Sequence, residues 1–301
     1  MMKVLHSMEE LATVNRAVHW AMGFFDGVHR GHRQVIESAA TPGALRGVLT
    51  FAQHPLALLA PQKQPKLITP TPAQKHALLE ALGVDVLLEL PFTRELAAMA
   101  PRAFLDMLRS ACPMAGISVG RNWHFGRGGA GDAALVEQYA AEYGLRACVQ
   151  TLAEHEGERI CSSRIRELLE AGRLPLAEAM LGHAFSIAGV VEPGQKLARK
   201  LGFPTANIGV HGQAVLPPAG VYEVRVLLDG APQRGIANLG LRPTIQEERK
   251  IVRLETHLTG WSGDLYGRAL VVELRRFLRP EKKFSSVEEL RAQIAADVQM
   301  L

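Results

Sequence analysis

Val18-His19-Trp20-Ala21-Met22-Gly23-Phe24-Phe25-Asp26-Gly27-Val28-His29-Arg30-Gly31-His32 reads as a strand, a tight turn and the start of a helix. Val18–Met22 is an apolar run of strand length, and Gly23, Asp26 and Gly27 are turn formers that bring the backbone close to a ligand. The helix entered near His32 offers unsatisfied N–H groups to phosphate. His29 and His32 can both address the same phosphoryl oxygens and stabilise charge growing there. Read alone, the stretch also fits a structural turn with two incidental histidines. It fits a His-x-x-His metal pair less well, because no third ligand stands at a supporting spacing.

Working outward, short apolar runs alternate with helical stretches from about Ala17 to Gly182. Strands are predicted at Val18–Met22, Gly47–Phe51, Val84–Leu90, Ile117–Val119 and Leu145–Leu152. Helices are predicted at His32–Ala40, Pro72–Leu82, Pro101–Ser110, Asp132–Tyr143, Ser163–Ala171 and Pro175–Leu181. This alternation implies βαβ units and a mostly parallel sheet, with its ligand at the carboxyl ends of the strands. After Gly182 the pattern changes to short, often alternating runs at Phe185–Val191, Tyr222–Leu228, Gly235–Leu239, Arg253–Leu258 and Ala269–Leu274. Turns such as Glu192-Pro193-Gly194, Pro217-Pro218 and Asp229-Gly230 separate them, which predicts a small antiparallel barrel. A last helix, Ser286–Val298, places Val287, Leu290, Ile294 and Val298 on one face. Two domains are expected, 1–182 and 183–301, as the length of 301 residues also suggests.

Composition narrows the function. A hydrophobic fraction of 48% with 21% charged residues is that of a globular chain. The net charge of +4 suits small anionic substrates and is thin for a nucleic-acid binder, and no Lys/Arg run is interleaved with aromatics. Cys112, Cys148 and Cys161 form no CxxC pair, so a reducing compartment is expected. Met1–Asn15 carries Glu9 and Glu10 without an apolar core, and no run approaches the roughly 18 residues of a membrane span. A cytoplasmic protein with neither membrane nor nucleic-acid partner is the expectation.

Further motifs fall in place around the first. Ile160-Cys161-Ser162-Ser163-Arg164-Ile165-Arg166 opens a helix with capping serines and early arginines. Thr50-Phe51-Ala52-Gln53-His54-Pro55 ends a strand, and Val119-Gly120-Arg121-Asn122-Trp123-His124-Phe125-Gly126 follows another. Gly126-Arg127-Gly128-Gly129-Ala130-Gly131 matches GxGxxG literally, but Arg121–Phe125 separates it from its strand, so it reads as a flexible glycine loop beside the nucleotide pocket. In the second half, Gly194-Gln195-Lys196-Leu197-Ala198-Arg199-Lys200-Leu201-Gly202-Phe203-Pro204-Thr205-Ala206-Asn207 leads a Gly/Lys loop into two hard oxygen donors, Thr205 and Asn207, suited to Mg²⁺. Leu254-Glu255-Thr256-His257-Leu258 puts Glu255 and His257 on one strand face.

Together these stretches resemble the bacterial bifunctional riboflavin kinase/FMN adenylyltransferase (FAD synthetase) family. Gly23–His32 is similar to its HxGH loop, with Phe24 where Asn is common, and Ile160–Arg166 to its Ile-Ser-Ser-Thr-x-Ile-Arg motif, with Cys161 and Ser163 replacing Ser and Thr. Gly194–Asn207 resembles the riboflavin kinase signature, with Ala198 in place of a glycine. Pro217…Gly220-Val221-Tyr222, Ala237–Gly240 with Arg242-Pro243-Thr244, Gly263–Gly267 and Arg279-Pro280-Glu281 follow in family order.

The resemblance implies a Rossmann-like nucleotidyltransferase domain followed by a riboflavin kinase barrel with a terminal helix. It implies ATP and phosphate contacts at Gly23, Phe24, Asp26, Gly27, Gly31, Ser162, Ser163, Gly194, Lys196 and Arg199. His29, His32 and Arg166 would serve adenylyl transfer, and Glu255 would be the base of the kinase. Flavin would meet His54, Asn122, Trp123 and Arg242, and Mg²⁺ would meet Thr205 and Asn207. The substrates and products implied are riboflavin, FMN, FAD and ATP. Rival readings are a kinase that has lost adenylylation, a flavin-binding regulator without catalysis, and a class I tRNA ligase, for which no anticodon domain or large basic surface is available.

Overall fold

The computed structural model describes residues 1–193, 202–242 and 251–301, with the backbone alone at 241, 242 and 251. They form two compact units, Met1–Arg164 and Ile165–Leu301. The domain boundary expected near residue 183 falls later than this division. Among the described residues no helix is long and apolar enough to cross a membrane.

In the first unit, β1 (Lys3–Leu5), β2 (Val18–Met22), β3 (Leu45–Phe51), β4 (Val86–Leu90), β5 (Met114–Gly120) and β6 (Arg146–Gln150) make one sheet. Its order is β1-β4-β3-β2-β5-β6 and every pairing is parallel. The helices are α1 (Met8–Leu11), α2 (Arg30–Ser38), α3 (Leu56–Leu59), α4 (Pro72–Ala81), α5 (Arg94–Ala98), α6 (Pro101–Ala111) and α7 (Ala133–Tyr143). A small hairpin, β7 (Glu154–His155) with β8 (Glu158–Arg159), precedes α8 (Ser162–Glu170), and α9 (Leu174–Leu181) follows in the second unit.

Alternate strand residues serve opposite faces of the sheet. Trp20, Met22, Leu49 and Leu88 join Leu105 of α6 and Tyr139 of α7 in one core. Ala21, Val48 and Leu87 join Ile36 of α2 and Leu79 of α4 in the other. Burial on both faces explains why these strands read as continuous apolar runs, as parallel strands do. The chain builds β3 and β4 on one side of β2 and then returns to build β5 on the other. The carboxyl ends of β2 and β5 therefore flank a topological switch point, where open α/β sheets bind ligands.

The second unit contains β9 (Ser186–Glu192), β10 (Ala206–Gly209), β11 (Gly220–Leu228), β12 (Ala231–Arg242), β13 (Ile251–Leu258) and β14 (Ala269–Arg279). They close into a barrel, β10-β13-β12-β11-β14-β9, whose pairings are all antiparallel. Ile208, Val224, Leu239, Leu254, Thr256 and Val272 are buried in its interior. Asp229 and Gly230, both at positive φ, form the two-residue turn between β11 and β12. The final helix, α10 (Val287–Gln299), is present as predicted, with Leu290, Ile294 and Val298 of its apolar face half-buried. Val287 is exposed, while Asp297 is buried and accepts from Arg279 at 2.9 Å (Nε–Oδ1) and 2.7 Å (Nη2–Oδ2). Removing one partner of a buried ion pair costs roughly 3–5 kcal/mol. Asp297→Ala should accordingly lower the stability of the barrel unit by about 3 kcal/mol in urea unfolding, against under 1 kcal/mol for Val287→Ala.

One buried polar group lies in β2. His19 is fully buried, with Nε2 2.9 Å from Ser118 Oγ and Nδ1 2.8 Å from Thr41 Oγ1. Burial, helped by the nearby Arg146 charge, pushes its pKa down to about 4. The unfolded chain takes up this proton near the ordinary histidine value of about 6.5. Stability is therefore complete above that pH and is lost as pH falls from about 6.5 to about 4, by about 3 kcal/mol in all. The stability difference between wild type and His19→Gln, followed by urea unfolding between pH 7 and pH 4, should shift by that amount.

Candidate functional sites

The turn after β2 is held from behind. Gly23 N donates to Leu49 O at 3.1 Å and Thr50 Oγ1 to Phe24 O at 2.9 Å. Asp26 is buried, and its Oδ1 accepts from Ile68 N at 2.9 Å and Thr69 N at 3.0 Å. Gly27 N donates to Thr69 Oγ1 at 3.1 Å, and Ser162 Oγ donates to Asp26 O at 3.1 Å. Gly27 has φ +80°, and a Cβ there would meet the Ile68 side chain at 3.0 Å, so only glycine fits. Phe25 and Val28 also take positive φ, 55° and 41°, a strain that persists only where surrounding bonds enforce it.

His29 is the N-cap of α2. Its Nδ1 accepts from His32 N at 3.2 Å, and its ring stacks on that of His32 with centroids 3.5 Å apart. A nitrogen that accepts a backbone N–H carries no proton, so neutral His29 holds its proton on Nε2. The stacked imidazoles stand at the head of a helix, where the dipole favours anions. His32 and Gly31 line a cavity of about 210 Å³ with Phe24, Asn122, Trp123, Arg159 and Cys161. These residues follow β2, β5 and β6, at the switch point.

The other expected residues of this unit are placed as follows. His54 meets the edge of Phe24, centroids 4.7 Å apart, and its Nδ1 accepts from Leu56 N. Trp123 stacks on Phe125 at 4.4 Å, keeping an aromatic wall. Ser162 and Ser163 open α8, while Arg164 is engaged by Glu158 at 2.8 Å (Nε–Oε2) and 3.1 Å (Nη2–Oε1). Arg166 lies on the same helix just past the division between the units. The glycine loop is tied rather than loose, because Phe125 and Gly131 exchange backbone bonds of 3.0 and 2.9 Å. The Asp132 carboxylate already caps α7, accepting from Leu135 N at 3.0 Å, so this GxGxxG does not open a phosphate-binding helix.

In the barrel, register pairs Asn207 with Glu255 and Glu255 with Asn238 across β10, β13 and β12. Because Leu254 and Thr256 point inward, this polar row stands on the outer face, with Asn238 Nδ2 donating to Glu281 Oε1 at 3.0 Å. His257 shares the face, and its Nδ1 donates to Pro204 O at 2.9 Å, steadying the segment before Thr205. Thr205 and Asn207 line a cavity of about 590 Å³ together with Thr256, Trp261, Asp264 and Tyr266. Gly194, Lys196 and Arg199 lie outside the described residues, and of Arg242 only the strand backbone is described. Among the described residues, no group of three or more His, Cys, Asp or Glu side chains is placed to hold a metal ion.

Sequence reasoning missed Arg159 and Trp261 as lining residues, and Lys75 and Glu89 behind the first loop. Arg159 precedes its motif by one residue, and Trp261 stands beside the Gly263–Gly267 stretch already noted; both were within reach.

A glycine-bearing turn into a helix at the switch point of a parallel sheet, and a polar row outside a closed barrel, are the arrangement of a two-site enzyme that handles phosphate groups. A riboflavin kinase family model matches residues 181–301, and an FAD synthetase family model matches residues 11–164. The bifunctional riboflavin kinase/FMN adenylyltransferase of Escherichia coli (strain K12) is 41% identical over 283 residues, covering 92% of this chain and 89% of that protein. The Pseudomonas fluorescens protein of the same name is 36% identical, with coverages of 99% and 96%. A crystal structure from Streptococcus pneumoniae, described as a macrolide-efflux protein, has a TM-score of 0.85 at 26% identity, covering 99% and 98% of the two chains. The chain belongs to the bifunctional riboflavin kinase/FMN adenylyltransferase family.

The cap geometry yields a separation of roles. His29→Asn keeps an acceptor for His32 N and should unfold within about 0.5 kcal/mol of wild type, whereas His29→Ala should lose about 1 kcal/mol. Denaturant titration of both variants reads the difference.

Proposed function

We propose that the residues gathered in each unit perform the two reactions of this family: ATP-dependent phosphorylation of riboflavin to FMN, then adenylyl transfer from a second ATP to FMN, giving FAD and pyrophosphate. The observation that carries the reading is that one chain holds both the stacked His29–His32 pair at a helix start and the Asn207–Glu255–Asn238 row beside Thr205. We take 1–182 as the adenylyltransferase part and 183–301 as the kinase part.

In the kinase, Glu255 takes the proton of the ribityl hydroxyl as its oxygen attacks the γ-phosphorus of ATP and ADP leaves. A positioned carboxylate base typically contributes about 10²–10⁴-fold. The Thr205 hydroxyl and the Asn207 amide oxygen are hard donors beside the larger cavity and fit Mg²⁺. When bound, that ion neutralises and orients the nucleotide phosphates. Gly194, Lys196 and Arg199 are assigned to the same phosphates, and Arg242 to flavin.

In the adenylyltransferase, an FMN phosphate oxygen attacks the α-phosphorus of ATP and the bond to pyrophosphate breaks, so no protein nucleophile is needed. His29 and His32 donate to the phosphoryl oxygens as charge grows. Gly23, Gly27 and Gly31 keep the backbone near the nucleotide, and Asp26 serves from behind by holding the turn. Ser162, Ser163 and Arg166 receive the leaving pyrophosphate. His54, Asn122 and Trp123 form the flavin wall. The cytoplasm is the proposed place of action, where ATP and riboflavin are both met; the three cysteines are unpaired.

Purified protein incubated with riboflavin, ATP and Mg²⁺ should convert the vitamin to FMN and then FAD on chromatography; unaltered riboflavin overturns the reading. Glu255→Gln should lower FMN formation by about 10²-fold or more while FAD is still made from supplied FMN. His32→Ala should do the reverse, with adenylylation down about 10²-fold and phosphorylation intact.

A further inference from the structure

Behind the phosphate turn lies an ion pair that the mechanism above does not use. Lys75 of α4 and Glu89 of β4 are each 4% exposed. Lys75 Nζ stands 3.7 Å from Glu89 Oε1 and donates to Phe51 O at 3.4 Å. On its other side it lies over the face of Phe24, 4.7 Å from the ring centroid. Glu89 Oε2 in turn meets His76 Nε2 at 3.2 Å. Phe51 and Glu89 are at or beside the carboxyl ends of β3 and β4, next to the switch point.

An ammonium this far from water costs several kcal/mol in lost hydration, and a carboxylate at 3.7 Å repays only part of it. Burial lowers the lysine's pKa, opposed by the charges of Glu89 and then Asp26. An apolar residue of similar volume would often serve packing better. What the cation gains here is the ring of Phe24. Two contacts hold that ring, Lys75 over its face and His54 in a T-shaped pair, while Thr50 Oγ1 ties the backbone carbonyl of the same residue. Its remaining surface lines the smaller cavity with His32 and Asn122.

We propose that Lys75, anchored by Glu89, is a positioning residue for adenylyl transfer, holding the Phe24 ring against His54 so that the cavity wall keeps the reacting phosphates aligned. The inference rests on the adenylyltransferase reading of the first unit. A misplacement of about 1 Å in such a wall can cost about 10²-fold in turnover. Lys75→Met should therefore lower kcat for FMN adenylylation by about tenfold or more, leave KM for ATP within about threefold, and leave riboflavin phosphorylation unchanged. Lys75→Arg, which keeps the charge and its contact with the ring, should restore at least about a third of wild-type kcat.

Because Lys75 acts through the ring, Lys75→Met added to Phe24→Leu should cost nothing beyond Phe24→Leu alone. Unchanged kcat in Lys75→Met, a loss confined to KM, or multiplying losses in the double variant each overturn the proposal. Should Lys75→Met not fold, Glu89→Gln decides: adenylylation kcat lowered about threefold or more with normal phosphorylation supports it, and normal adenylylation overturns it. Wild-type protein that makes no FAD would instead remove the underlying reading, so the two failures are distinct.

Discussion

Backbone N–H and C=O groups taken out of water must be paired, and both centres of this protein follow from that constraint. In the first unit β2 is paired on both sides, by β3 and by β5, and covered on both faces. Its chain has no further ladder to join beyond Met22 and must find partners one by one. Leu49 O, Thr50 Oγ1, the Asp26 carboxylate and the His29 ring supply or complement them. The turn that results is rigid, carries positive φ at Phe25, Gly27 and Val28, and delivers two histidines to the head of a helix. In the second unit the same constraint is met by closure, which leaves the polar residues of β10, β12 and β13 to line up outside.

How much of this was legible in the sequence depends on range. Val18–Met22 was read to the residue because a strand buried on both faces is an unbroken apolar run. The barrel strands were visible through alternation, although β12 proved longer than the apolar core Gly235–Leu239, since its hairpin continues into Gln233 and Arg234. Lys3–Leu5 was not visible: three residues show no period, and only pairing with β4 makes them a strand. β10 was hidden inside a motif read for its chemistry.

The side-chain pairs were harder still. The apolar stripe of the last helix was present in the sequence, but nothing local announced that Asp297 would seek Arg279. Lys75 and Glu89 belong to no motif in the sequence, and it is the fold that buries both. Asp26 reads in the sequence as a turn residue at the phosphate loop, and in the fold its carboxylate faces the amides of Ile68 and Thr69. Sequence shows which chemistry is available; what each group faces is decided by contacts from distant segments.

The closed ladder is uneven, and that has a kinetic consequence. Among the described residues, β11 and β12 are joined through nine residue pairs, from Gly220↔Leu239 to Leu228↔Ala231, whereas β9 and β10 are joined through two, Asn207↔Glu192 and Ile208↔Val191. A ring of strands opens first at its shortest seam, because the fewest bonds are broken there. That seam carries Asn207 and borders Thr205, so the cheapest breathing motion of the barrel occurs beside the larger cavity. Solvent exchange at the amides of Asn207 and Ile208 would then outpace that of β11, so the part of the wall that yields most readily is the part that borders the larger cavity.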